Sequence, residues 1–242
     1  MFRELKQKLI ILENRKPYSS QTGEYIRELN MLDWIHSSLR LDGSLLARPE
    51  TEKILKGSFI ENASLNDHIL IERYGDLVKS AENKLAMSYN LNKDMISSFN
   101  KILTGGDSSY RRENPILVSL SYNPPHPSEI EEQMDILMNW FYSSDMEMNP
   151  VRKAACLHLR IIEIYPFEEF SEATARAAMY YYLMENGFPP FEIRMKEQEY
   201  NMAVTEYLKR ENAELFCLEA ERSLLSKMEI LIQLTDRKGV TY

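Results

Sequence analysis

The sequence predicts a mainly α protein, a helix bundle carrying one small β-hairpin. Three observations lead there. Apolar residues recur every three to four positions along most of the 242-residue chain. The 8 glycines and 10 prolines mostly fall between the periodic stretches rather than inside them. β-prone residues run together at one place, "ILVSL" at 116–120, between Pro115 and the Pro124-Pro125 pair.

Taken in order, "FRELKQKLIILENRK" is amphipathic with the helical period, and "PYSSQTG" breaks it. "GEYIRELNMLDWIHSSLRL" is the next helix, stopped by Asp42-Gly43. "RPETEKILKG" is short, with Pro49 near its start and Gly57 at its end. "SLNDHILIERYGDLVKSAENKLAMSYN" opens on a Ser or Asx cap, and "LNKDMISSFNKILTGG" closes on two glycines. Then comes the "ILVSL" run, which Pro115 confines to an edge or hairpin because proline donates nothing to a ladder. "SEIEEQMDILMNWFYSS" starts with Ser128 and Glu131 spaced as a capping box. "NPVRKAACLHLRIIEIYPF" is strongly apolar, is expected at the centre, and ends at Pro166. "SEATARAAMYYYLMENG" follows, with Ser171 as expected N-cap and Gly187 as C-cap. "FPPFEI" turns, and the final periodic stretch is long enough for two helices. The chain divides into an N-terminal helical region (1–90), a core (91–190) and C-terminal helices packing on that core (191–242).

Composition narrows the function. At 44% hydrophobic and 27% charged residues the chain has material for a sizeable core. A net charge of −8 argues against sequence-independent nucleic-acid binding, which needs clustered Lys and Arg. Cys156 and Cys217 lie in apolar helical patterns and read as small buried hydrophobes, with no zinc or CxxC spacing. The N-terminus is too charged for a secretory signal, and no apolar run is long enough to span a membrane. The expected location is cytoplasmic, with delivery by a signal-peptide-free secretion route left open.

One local arrangement bears on chemistry. A buried helix, a loop headed "YPF" and a helix starting near Ser171 are consecutive, so a helix N-terminus faces the loop, as in an anion site. Glycines and a basic residue are wanted next, and Phe170, Ser171, Glu172 and Ala173 stand there instead.

These residues resemble the Fic-domain (Fic/DOC) family, whose members transfer a nucleotide phosphate group to hydroxyls on target proteins. The family motif His-Pro-Phe-x-Asp/Glu-Gly-Asn-Gly-Arg-x-x-Arg aligns with Tyr165 to Arg176. "LNKDMISSFNKILTGG" resembles the helix before the family's flap, and "YRRENPILVSLSYNPPHPSEIEEQM" resembles the flap with the segment behind it. "NPVRKAACLHLRIIEIYPF", with His158, is similar to the helix leading into the motif. "ENGFPPFEI" and Tyr200 are similar to the segment beyond. "SSLRLDGS" resembles the inhibitory helix Ser/Thr-x-x-x-Glu-Gly/Asn, with Ser38 first and Asp42 in the glutamate position. The likeness covers roughly residues 30 to 225. It implies a Fic-type bundle, an inhibitory-like helix at 31–44, a flap at 110–125 and a motif at 165–176.

The resemblance also implies roles, and this chain departs from several. The motif histidine is the general base; Tyr165 replaces it, and an unperturbed tyrosine with a pKa of about 10 is a proton donor at neutral pH. Where bare backbone should meet phosphate, Phe170 places a ring and Glu172 a negative charge. Ala173 removes the first arginine, a phosphate clamp. Glu169 stands at the magnesium-ligand position, though one carboxylate without phosphates makes a poor magnesium site. Arg176 keeps the second arginine, with Asp42 and Glu172 as competing partners. ATP and magnesium are therefore implied by the resemblance alone, and the residues point to no metal. Ile116, Leu117 and Val118 on the flap are expected either to hold a protein target by main-chain pairing or to form a simple hairpin. Arg111-Arg112 reads as solvated surface or a contact for an acidic partner. A homodimer through the C-terminal helices is possible.

Three functions follow. The first is a Fic-fold protein unable to transfer AMP, acting by protein or small-ligand binding. The second is an active nucleotidyl or phospho-group transferase with altered chemistry using Glu169, Glu172 and Arg176. The third is a regulatory partner of an active enzyme.

Overall fold

The computed structural model describes residues 1–106, 108–143 and 148–236. Ten α-helices make up its regular structure: α1 (Phe2–Asn14), α2 (Ser20–Leu41), α3 (Arg48–Leu55), α4 (Leu65–Ala86), α5 (Lys93–Thr104), α6 (Ile130–Ser143), α7 (Pro150–Ile164), α8 (Ser171–Glu185), α9 (Glu197–Arg210) and α10 (Glu214–Leu234). Their starts follow local chemistry. Ser19, Ser64, Asn92 and Asn149 each accept a first-turn amide at the heads of α2, α4, α5 and α7. A 3-10 turn, Pro127–Glu129, leads into α6. Its cap is His126, which accepts the Ser128 amide, so the capping box expected at Ser128 and Glu131 lies two residues earlier. Ser144, the last residue of that expected helix, and residues 237–242 lie outside the described residues.

The centre of the bundle is α8, where α7 was expected. From Ser171 to Leu183 every residue of α8 except Glu172 is buried. Ala173, Ala175, Ala177 and Ala178 leave room for neighbours on all sides, while Tyr180 and Tyr181 reach outward to Trp34 and Phe99. Helix α7 keeps a polar stripe and packs along α8, with α5, α4 and α2 on the remaining faces. One continuous cluster of buried apolar residues runs from Leu5 on α1 to Leu231 on α10.

The expected hairpin is not a ladder. Residues 118–121 form a turn, closed by a single antiparallel bridge between Leu117 and Tyr122. Pro115 on one limb and Pro124-Pro125 on the other lack amides, so pairing cannot extend beyond the turn. A second bridge, Tyr110 to Phe167, ties the base of this flap to the loop after α7. The tip is bare, with Ile116 and Val118 88% and 78% exposed.

Candidate functional site

The loop between α7 and α8 is shaped by two residues in the left-handed backbone region. Tyr165 (φ 48°) caps α7, and Phe170 (φ 59°) is the N-cap of α8. Such a conformation costs a non-glycine residue about 1–2 kcal/mol, so the turn still has the backbone shape that suits glycine at 170. Ser171, the expected cap, sits one position inside the helix. Its hydroxyl accepts the Phe167 amide at 2.8 Å and donates to the Phe167 carbonyl at 3.0 Å, which closes the loop on itself.

Two residues outside the loop hold it. Arg111 is buried, donating Nε to the Tyr165 carbonyl at 2.7 Å, Nη2 to Ile164 and Pro125, and Nη1 to Glu113 and Asn114. It is a clamp between flap and motif rather than the surface charge expected. Its sequence signal, a basic pair before a proline, cannot distinguish the two. Asn100 on α5 donates to the Glu169 carbonyl at 2.8 Å and to the Thr174 hydroxyl at 3.2 Å.

Above the N-terminus of α8 lies a cavity of about 300 Å³. Helix α2 ends at its edge with Leu41, Asp42 and Gly43; the flap adds Ser119, the motif adds Tyr165 and Phe170 to Ala173, and α9 adds Glu197 and Asn201. Gly43 turns the chain after α2 at φ 87°, a conformation that favours glycine. Three carboxylates line this space, from Asp42, Glu172 and Glu197, and no lysine or arginine does. Burial raises the Glu172 carboxyl above the usual carboxylate range; the Arg176 charge opposes this, while Asp42 and Glu197 reinforce it. Burial also pushes Tyr165 up to about 12, with Glu172 and Asp42 acting in the same direction, so its phenol stays protonated at neutral pH. Glu197 and Asn201 escaped the sequence reading, because nothing local in α9 says which side of the bundle it faces.

Beneath the cavity, Arg176 is completely buried. Its Nη2 donates to the Asp42 carboxylate and, at 3.4 Å, to the Ser38 carbonyl. Asp42 thus takes the arginine from Glu172, and its second oxygen accepts the Tyr74 hydroxyl at 3.1 Å. Nε and Nη1 of Arg176 are buried without a hydrogen-bond partner, which makes Asp42 its main compensation. Ser38 itself is buried on α2 and contributes its backbone rather than its hydroxyl. Arg40 pins the end of α2 by donating to the Met195 and Ile193 carbonyls.

The other candidates lie apart. His158 is fully buried, hydrogen-bonded through Nε2 to the Tyr200 hydroxyl at 2.9 Å and stacked on Phe216. Burial, helped by Arg176, holds its pKa down to about 3, so it is neutral and packed. Glu169 is exposed, and its carboxylate is not among the groups lining the cavity. Among the described residues no cluster of three or more His, Cys, Asp or Glu could hold a metal ion. No helix there is long and apolar enough to cross a membrane.

A nucleotide with magnesium does not fit this site as built. Anion recognition at a helix start needs free amides and a positive field. Here Glu172, in the first turn of α8, supplies an anion from the chain itself, and the buried arginine below is already paired.

Comparison with known proteins agrees with this architecture. Residues 84–183 match the model of the Fic/DOC family. The chain is 26% identical over 171 residues to Protein adenylyltransferase Fic of Nematostella vectensis, covering 68% of this chain and 40% of that protein. It is 22% identical over 190 residues to Protein adenylyltransferase fic-1 of Caenorhabditis elegans, covering 73% and 36%. The chain thus spans about two fifths of the length of the curated relatives it matches. Among solved structures, a Fic domain containing signaling protein from Bacteroides thetaiotaomicron superposes with a TM-score of 0.84 at 19% identity, over 98% of this chain and all of that one. Fic-1 from C. elegans gives 0.80 at 18% identity, over 96% and 71%.

Proposed function

We propose that this chain, whose residues 84–183 match the Fic/DOC family model, does not transfer AMP and acts by binding a protein partner. The observation that carries the reading is the cavity, with three carboxylates and no basic side chain where the family motif would seat phosphates. At about 4 Å, two like unit charges near a protein surface repel by roughly 4 kcal/mol, and a triphosphate carries several. Phe170 and Glu172 replace the glycines that would let phosphate approach the backbone, Ala173 replaces a clamp, and Tyr165 is a protonated phenol in place of the base. The partner is taken up at the flap, where Ile116 and Val118 stand in solvent beside the mouth lined by Ser119.

The test pairs two measurements. Incubation with α-labelled ATP and magnesium should label neither the chain nor lysate proteins, and millimolar ATP should leave the unfolding temperature unchanged. Labelling that is lost in Tyr165→Phe would overturn the reading. A small phosphorylated metabolite that raises the unfolding temperature without labelling would replace the protein partner with a small ligand.

A further inference from the structure

A second pair of reactive groups lies at the seam between α7 and α10, on a face the cavity does not use. Cys156 on α7 is half-buried and Cys217 on α10 is buried; both are free thiols. The side chains around them fix the register. Arg152, one turn before Cys156, bridges to both Glu214 and Glu221, which flank Cys217 on α10. His158, two residues after Cys156, stacks on Phe216 with ring centroids 4.7 Å apart. Cys156 and Cys217 are therefore opposed across the seam, near enough for each thiol to shift the other's pKa. Ala155 and Ala220 near them are small and buried where α7 and α10 pack together.

Their surroundings differ in a useful way. Arg152 and Arg160 stand one helical turn to either side of Cys156, which is only half-buried. Hydrogen bonding from Cys217, then the two arginines, lowers the Cys156 pKa, while the same bond and burial raise that of Cys217. A half-buried thiol with a lowered pKa beside a more deeply buried one with a raised pKa is the arrangement of an attacking and a resolving cysteine.

We propose that Cys156 and Cys217 form a reversible disulfide when the protein meets a hydroperoxide. Cys156 loses its proton and the thiolate attacks one peroxide oxygen, breaking the O–O bond and becoming a sulfenic acid, while the leaving oxygen takes up that proton and departs as water or an alcohol. The Cys217 sulfur then attacks the sulfenic sulfur, forming S–S and releasing water; two thiols are oxidised and one peroxide is reduced. The cross-link ties α10 to α7, the helix that ends at Tyr165. This holds whether or not the cavity takes a nucleotide.

The full chain, reduced and then treated with hydrogen peroxide in thiol-free buffer, is blocked with N-ethylmaleimide and digested without reductant for mass spectrometry. The expected result is a peptide pair joined through Cys156 and Cys217, about 2 Da lighter than the reduced pair, with a higher unfolding temperature and full reversal by dithiothreitol. In Cys217→Ala oxidation stops at a sulfenic acid on Cys156 that dimedone traps; in Cys156→Ser the Cys217 thiol remains alkylatable after peroxide. Native protein in which Cys156 proceeds to sulfinic acid while Cys217 is still alkylated overturns the proposal. So does linkage between chains only, or no oxidation at either cysteine; the wild-type digest reads these even if a variant fails to fold.

Discussion

Arg176, buried at the middle of the bundle, is held by Asp42 from 134 positions earlier in the chain. The pair joins the last turn of α2 to the first half of α8, so the cavity wall and its floor are one electrostatic unit. Tyr74 on α4 completes it from a third helix.

Removing the acid should leave a buried cation uncompensated. Asp42→Ala is expected to destabilise the protein by about 2–3 kcal/mol, below the range for a fully buried pair because the Asp42 side chain keeps 27% exposure. Urea unfolding measures it, and the double variant with Arg176→Met should recover much of the loss if the pair acts as a unit.

Protonation of Glu172 should influence stability in the unusual direction for a carboxylate. Its folded pKa is raised, so the folded chain holds that proton more tightly and stability falls as pH rises from the ordinary carboxylate pKa through the folded one. Glu172→Gln should accordingly be more stable than wild type at pH 7.5, and the advantage should vanish at acid pH. Unfolding curves at both pH values decide this; an equal gain at each would remove the buried charge as the cause.

His158 acts in the opposite sense. The unfolded chain takes up this proton below about pH 6.5, the folded one only near pH 3, so stability is lost as pH falls between them. By pH 4 the loss is of order 3 kcal/mol, at about 1.4 kcal/mol for each pH unit. His158→Gln, which can still bond Tyr200 but takes up no proton, should flatten the acid limb of the stability profile.

The Arg111 clamp should resist conservative replacement. Arg111→Lys cannot reproduce a fork that reaches carbonyls on both the flap and the motif loop, so it should cost about 2–3 kcal/mol, close to Arg111→Ala. Hydrogen exchange at 110–125 should rise in both variants, which a loss of mere surface charge would not cause.

Rebuilding the anion site should work in steps. Phe170→Gly relieves the left-handed strain and, with Glu172→Gly and Ala173→Arg, clears the cavity and adds a clamp. Millimolar ATP with magnesium should then raise the unfolding temperature of the triple variant but not of the wild type; ATP at tenfold its Kd corresponds to about 1.4 kcal/mol. Labelling by AMP transfer should still require Tyr165→His in addition.

What the chain determined locally is what short-range chemistry can specify: helix spans from apolar spacing, most caps from Ser and Asn, the stop at Asp42-Gly43, and the motif positions where Phe170, Glu172 and Ala173 stand. Those features act over one or two turns, so they are legible in order along the sequence. The tertiary structure decided the rest. Asp42 prevailed over the nearer Glu172 as partner of Arg176, because packing brings the end of α2 onto α8. It also placed Glu197 with the other two acids, made Arg111 a buried clamp, moved the bundle's centre from α7 to α8, and left the flap as a turn with one bridge. Each of these depends on which faces meet across the bundle, and helical periodicity fixes a face without naming its neighbour.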